Sequence, residues 1–215
     1  MEGLAGPWVM DKGLSSGVDA ILKIQGISWP LRKAVGLASI RLNISIYPDD
    51  KETSSGATVI DVLQTATGGL AGTRERRIMD WTAQDHTDYI FGPCKHCSCF
   101  VHGSASVEND GGVYPEFEVQ TQSVDEKARR FLRGEIFEDG SSSVWVVSQS
   151  GRSDDKDVWV HTFVQNVDSE WTAEQVWGFE DIHGKKYHTR RLLVSNAKGH
   201  VMGRLVYRYE GTGST

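Results

Sequence analysis

The sequence predicts an all-β protein, a single up-and-down antiparallel β-barrel of about ten strands with a helix-turn-helix lid and one further short helix. Three observations carry that expectation. Stretches with a period of two recur along the chain, apolar or aromatic on one side and polar on the other. Turn signals separate them at hairpin intervals: Gly68-Gly69, Asp110-Gly111-Gly112, Asp139-Gly140, His183-Gly184 and Lys198-Gly199. Helical patterning early in the chain falls between the first strand and the second, where a lid would sit.

The elements follow in order. Gly6-Pro7-Trp8 starts a strand running to Met10. Ser16, with Asp19 three residues on, has the pattern of a helix N-terminus, and Val18, Ile21 and Leu22 share one helical face. Gly26 ends that segment. Ser28 caps a second helix, in which Pro30 occupies the tolerated first turn and Leu31, Ala34, Val35 and Ala38 supply an apolar stripe. The lid thus spans about residues 16–38. Ile40, Leu42, Ile44 and Ile46 then alternate with Arg41, Asn43, Ser45 and Tyr47 as a half-buried strand. Further strands are expected at 58–65, 73–81, 89–91, 113–121, 144–149, 158–165, 174–179, 187–194 and 201–209, and a third helix at 124–132, capped by Ser123 with Glu126 three residues on. Residues 51–56 and 151–156 read as polar loops. Closing the strands into a barrel leaves no bare edge.

A chain of 215 residues buries a real core as one domain, residues 1–215. A net charge of -6 and a pI near 5.6 argue against a nucleic-acid partner. The basic run Arg74-Glu75-Arg76-Arg77 reads as a solvated strand edge. No apolar stretch is long enough to span a membrane, and no signal-peptide pattern opens the sequence, so a soluble, cytoplasmic protein is expected. Three cysteines crowded between Cys94 and Cys99 do not form a disulfide framework and suit a reducing compartment.

The chain has no phosphate loop, nucleophile elbow or metalloprotease helix, and no cofactor is expected. Cys94, His96, Cys97 and Cys99, with His102 beyond them, have spacings that suit zinc, but a second ligand pair is missing. The alternative is a strand with reduced thiols, Cys97 and Cys99 sharing one face, and no metal is assigned. The seven tryptophans are more informative. One face of a strand carries Trp159, His161, Phe163 and Gln165, the other Val158, Val160 and Val164. With the aromatic face inward, it joins Trp145, Gln175, Trp177, Arg191 and Tyr207 around a lumen with apolar walls and a few polar groups; a register shift of one residue swaps the faces. His161 is then either a structural histidine or a proton carrier. Arg191 is a candidate to polarise a ligand oxygen, with one of the Arg190-Arg191 pair facing solvent. Trp8 belongs to the core, Trp29 to the lid, and Gln64 is either a ligand contact or an exposed amide.

The segment 21–72, with Gly26-Ile27-Ser28-Trp29, Arg32-Lys33, Gly36-Leu37-Ala38 and Gln64-Thr65-Ala66-Thr67, resembles the intracellular fatty-acid-binding proteins of the calycin superfamily. That resemblance implies an up-and-down barrel, a two-helix lid and an apolar ligand inside. Gly6-Pro7-Trp8 is similar to the lipocalin strand signature, whose Trp packs under a late Arg; Arg204 or Arg208 would serve. The family's closing Arg-x-Tyr strand, which takes a fatty-acid carboxylate, is replaced by Arg204-Leu205-Val206-Tyr207-Arg208-Tyr209 with different spacing. In size, and in Gln64-Thr65-Ala66-Thr67-Gly68-Gly69 and Gln175-Val176-Trp177-Gly178-Phe179, the chain resembles small fungal lipocalin-like proteins, some of which are Diels–Alder-type pericyclases. Two functions are therefore expected of one pocket for a hydrophobic small molecule: cofactor-free cyclisation in natural-product biosynthesis, or non-catalytic carriage of a fatty acid or other apolar metabolite.

Overall fold

The computed structural model describes residues 3–49, 56–105, 112–146 and 159–211. In chain order the elements are β1 (Gly6–Met10), α1 (Val18–Ile24), α2 (Trp29–Leu37), β2 (Ile40–Pro48), β3 (Thr58–Ala66), β4 (Thr73–Ile78), β5 (Gln84–Asp88), β6 (Gly92–Val101), β7 (Gly103–Ala105), β8 (Val113–Pro115), α3 (Glu126–Arg133), β9 (Trp159–Asn166), β10 (Thr172–Ile182), β11 (Lys185–Asn196) and β12 (Gly199–Tyr209). Ten strands form one sheet in the order β4-β3-β2-β1-β12-β11-β10-β9-β6-β5, and β7 pairs with β8 apart from it. Every pairing is antiparallel, including β1 with β12, where Trp8 faces Tyr209. The sheet curls into a nearly closed barrel in which edge strand β4 comes against β6. Past β4, the Trp81 amide donates to the Ser98 carbonyl on β6 at 2.8 Å.

One end of the barrel is filled. Leu4, Trp8, Leu42, Ile44, Ile60 and Trp177 belong to a continuous buried cluster there. The Trp8 indole N–H donates to the Leu4 carbonyl at 2.9 Å, and its ring packs against Phe179, His188 and Tyr209. Neither expected arginine lies over it: Arg204 stands over Phe137 with its Nε 2.9 Å from Glu180 Oε2, and Arg208 is exposed. The other end lies under the lid, where α1 packs against β11 and β12.

Residues 113–146, between β6 and β9, lie on the outside of the barrel. There α3, Tyr114, Val119 and Trp145 pack on Trp159, Val176 and Leu193, forming a second core. Asp125 caps α3, its side chain accepting from the Ala128 amide at 2.8 Å, and Gly134 closes it in the left-handed conformation at φ 82°. Ser123, the expected cap, is two residues too early. Ser16 does not cap α1 either, because its backbone bridges to Arg204 on β12 and Gly17 becomes the N-cap at φ 74°. A Cβ on Gly17 would lie 2.6 Å from the Met202 carbonyl oxygen, so glycine permits that close approach.

Three strand expectations change. Residues 89–91 form the turn between β5 and β6; β5, Gln-Asp-His-Thr-Asp, is a polar edge strand without apolar alternation. Of 113–121 only Val113–Pro115 is a strand, and of 144–149 the described residues 144–146 lie outside any strand, with Val146 N bonded to Phe179 O at 2.8 Å. Residues 147–149, the loop 151–156, nearly all of the loop 51–56, Val158 and the Asp110-Gly111 turn lie outside the described residues.

Candidate functional site

Beneath the lid lies a cavity of about 190 Å³. A dry cavity of about 150 Å³ accepts a benzene-sized guest, so there is room here for a larger molecule. Met10, Ile21, Val35, Ile40, Leu192 and Leu205 are among its apolar lining residues. Its polar wall comes from strands on both sides of the barrel: Glu75 and Arg77 from β4, His96 from β6, Gln175 from β10, Arg190 from β11 and Tyr207 from β12.

Alternation puts Glu75 and Arg77 on one face of β4, and that face is inward. Arg74 and Arg76 point the other way, Arg74 pairing with Asp61 and Arg76 Nη2 lying 2.6 Å from Asp49 Oδ1. The expected solvated edge therefore holds only for those two. Arg77 is 4% exposed and donates from Nη2 and Nε to Glu75 Oε2 at 2.7 and 3.2 Å. Burial alone would raise the Glu75 carboxyl, but the charges of Arg77 and Arg190 outweigh it and hold it at about 2. Glu75 is thus a fixed anion between two guanidinium groups.

Arg190 is the least compensated of the three. It is 6% exposed, its Cζ sits 3.7 Å from the Trp177 ring centroid and 5.5 Å from that of Tyr207, and its Nε donates to His188 Nε2 at 3.2 Å. Nη2 is buried and has no hydrogen-bond partner among the described residues. Because arginine stays charged, His188 Nε2 must be the acceptor. Its Nδ1 then carries the proton and donates to the Gly178 carbonyl at 3.2 Å. Burial, followed by the Arg190 charge, holds this imidazole neutral well below its usual range. Burial raises the Tyr207 hydroxyl, so it keeps its proton. Burial and the Arg77 charge lower His96 to about 4, leaving it neutral. Deep in an apolar cavity, then, one glutamate faces two arginines, and one guanidinium N–H lacks an acceptor.

Of the residues singled out from sequence, Gln64, Gln175 and Tyr207 line this cavity. Trp177, fully buried, lies directly behind: its ring packs against Arg190 and Arg77, and its Nε1 donates to Gln175 Oε1 at 3.0 Å. The others face outward. On β9 it is Val160 and Val164 that belong to the inner clusters, while Trp159 packs with Trp145 in the outer core. The aromatic face of β9 thus points out of the barrel, opposite to the inward alternative. His161 sits between the rings of Trp81 and Phe117, and its Nε2 lies 2.8 Å from Glu174 Oε1. Glu174 also accepts from the Gln120 amide and from the amide and hydroxyl of Thr121, tying residues 116–123 to the barrel wall. Phe163 pairs with Cys97 on β6 and stands on the same outward face.

Arg191 is fully buried outside the barrel. It donates to Glu180 Oε1, to Ser143 Oγ and to the Phe131 and Ile136 carbonyls. Neither arginine of the 190–191 pair faces solvent, because the outer layer covers the strand face that alternation would leave wet. Trp145 Nε1 donates to the Arg133 carbonyl at 2.7 Å, closing the end of α3. Cys94 and His96 face the cavity, and Cys97 and Cys99 face away on the same strand; no group of three metal-capable side chains occurs among the described residues.

The sequence reading missed Glu75, Arg77, His96 and Arg190 as cavity residues. The period of two in β4 was a usable signal for the first two, since it places them on one side. For Arg190 there was none, because β11 is buried on both faces from Tyr187 to Val194.

No family model matches the chain. It is 25% identical over 211 residues to a probable pericyclase of Mollisia scopiformis, covering 98% of this chain and 92% of that protein. It is 26% identical over 206 residues to a pericyclase of Acremonium sp, covering 95% and 90%. Among solved structures it superposes on lipid binding protein 8 of Caenorhabditis elegans with a TM-score of 0.53 at 11% identity, covering 98% of this chain and 97% of that one. The chain resembles pericyclases in sequence, and its fold is that of a fatty-acid-binding-protein-like barrel.

Proposed function

We propose that this chain is a single-domain barrel that binds an apolar, carbonyl-bearing polyene under its lid and catalyses a cofactor-independent pericyclic ring closure of the Diels–Alder or hetero-Diels–Alder type. The unpaired Nη2 of Arg190, buried in the cavity wall, carries this reading. A carbonyl hydrogen-bonded to that guanidinium loses electron density from its conjugated double bond, which speeds addition of an electron-rich diene. Removing one preorganised donor from such a site costs roughly 10²–10³ in rate. The apolar walls hold the flexible chain in its reactive fold, a contribution of about 7–11 kcal/mol in well-oriented systems. Similarity over nearly the whole chain to a probable pericyclase and a pericyclase supports the reaction class, and the proposal extends to a cytoplasmic role in fungal natural-product biosynthesis. Gln64, Gln175 and Tyr207 contact the ligand, Trp177 supports Arg190, and His161, Arg191, Trp145, Trp159 and Phe163 hold the outer layer.

The test is incubation of pure protein, in buffer with chelator, with acyclic polyenes bearing an α,β-unsaturated carbonyl, following loss of diene absorbance and the chirality of the product. A single enantiomer, formed at a rate that falls about 10²-fold in Arg190→Met, supports the proposal. Saturable binding with the polyenes recovered unchanged sinks it in favour of a carrier.

A further inference from the structure

Arg190 Nη2 is not the sole polar atom of the cavity wall without a partner. Gln25 Oε1 and His86 Nε2 are also buried and unbonded among the described residues, and both residues line the same cavity. His86 Nε2 lies 3.9 Å from Asp88 Oδ2, beyond hydrogen-bond reach. A buried polar group without a partner costs about 1–3 kcal/mol, and folded chains leave few of them. Three around one cavity indicate hydrogen bonds reserved for a ligand.

Gln25 and Arg190 define two separate ends. Gln25 is the C-terminal cap of α1 and 9% exposed. The adjoining Ile24 carbonyl accepts from Asn196 Nδ2 at 2.9 Å, which fixes this end of the lid to the far end of β11. Asn196 is six residues beyond Arg190, and at roughly 3.3 Å per residue the two levels are about 20 Å apart along the strand. Apolar side chains, Leu192 and Ile21 among them, line the cavity between.

We infer that the cavity takes a two-ended ligand: an apolar body with an oxygen acceptor on Arg190 and a hydroxyl under the lid on Gln25. This rests on the cavity being the ligand site, as proposed above. A hydroxyl both donates and accepts, so it meets the Gln25 amide in either orientation. An all-carbon tail leaves Gln25 unpaired. A second carboxylate at that end would meet the unbonded Gln25 carbonyl oxygen, another acceptor. The ligand class is therefore a hydroxylated apolar carbonyl compound or acid, not a plain fatty acid.

The experiment is displacement of anilinonaphthalene sulfonate from the full chain by straight-chain acids from decanoate to hexadecanoate, compared with their omega-hydroxy counterparts. At the best length the hydroxy acid binds about five- to tenfold tighter than the plain acid, the worth of one such hydrogen bond. Gln25→Leu erases that preference, weakening the hydroxy acid alone and leaving the thermal midpoint unchanged or higher. Arg190→Met weakens both ligand series alike. Equal affinity of the two series in the wild type, or a hydroxyl preference that survives Gln25→Leu, overturns the two-ended ligand while leaving the cavity as the binding site. If neither series nor the fluorophore binds, the cavity reading itself fails.

Discussion

Replacing Arg191 by methionine separates a structural arginine from a catalytic one. Arg191 makes five side-chain hydrogen bonds: two to Glu180 Oε1 at 3.1 and 2.9 Å, one to Ser143 Oγ at 2.6 Å, and one each to the Phe131 and Ile136 carbonyls at 3.1 and 2.6 Å. Methionine fills much of the volume but offers no donor. Glu180 keeps Arg204 at 2.9 Å, so its charge is not abandoned, but the two carbonyls at the end of α3 lose a donor in a buried setting. Breaking a buried ion pair in this way costs about 3–5 kcal/mol. In a chain of this size 1 kcal/mol moves the midpoint by about 2–4 °C, so the expected fall is on the order of 10 °C. The assay is thermal unfolding followed by circular dichroism, with anilinonaphthalene sulfonate binding measured well below the transition. Binding per folded molecule should stay within about twofold of wild type, because Arg191 does not reach the cavity. A midpoint unchanged within error, or a folded variant that has lost binding, would refute this account and return Arg191 to the ligand site.

Two further perturbations follow from the structure. Gly178→Ala places a methyl group 2.7 Å from ring atoms of both Trp145 and Trp159, and such overpacking costs about 1–3 kcal/mol; a wild-type urea midpoint would show that the outer layer packs loosely. His96 has its folded value depressed to about 4 from 6.5, so the unfolded chain binds more protons between those values. Its contribution is complete above pH 6.5 and is lost as the pH falls towards 4, about 3 kcal/mol in all, with His188 shifted in the same direction. Urea unfolding at steps from pH 7 to pH 4 should show this decline, with a shallower slope in His96→Gln; identical slopes in the two proteins would mean that His96 is protonated freely in the folded state.

Much of the barrel was legible because its inner strands solve one problem visibly. On β2, Ile40, Leu42 and Ile44 are buried while Arg41, Asn43 and Ser45 are exposed, and that contrast fixes the register from sequence alone. The lid was legible for the same kind of reason, since Gly26, Ser28 and Pro30 punctuate it locally. The polar edge strand β5 carried no such signal.

The sequence by itself determined the fold class, the two-helix lid and a lumen with apolar walls and a few polar groups, and it left open whether Gln64, Gln175 and Tyr207 face that lumen. Only the tertiary structure decided which of two adjacent arginines, 190 or 191, enters the cavity, and that Trp159 and His161 leave it. The physical reason is the layer formed by α3 and its neighbours, which folds back over β9, β10 and β11 and buries most of their outer faces as well as their inner ones. A strand buried on both faces no longer contrasts apolar with polar, so its alternation still says which residues share a side but not which side is the lumen.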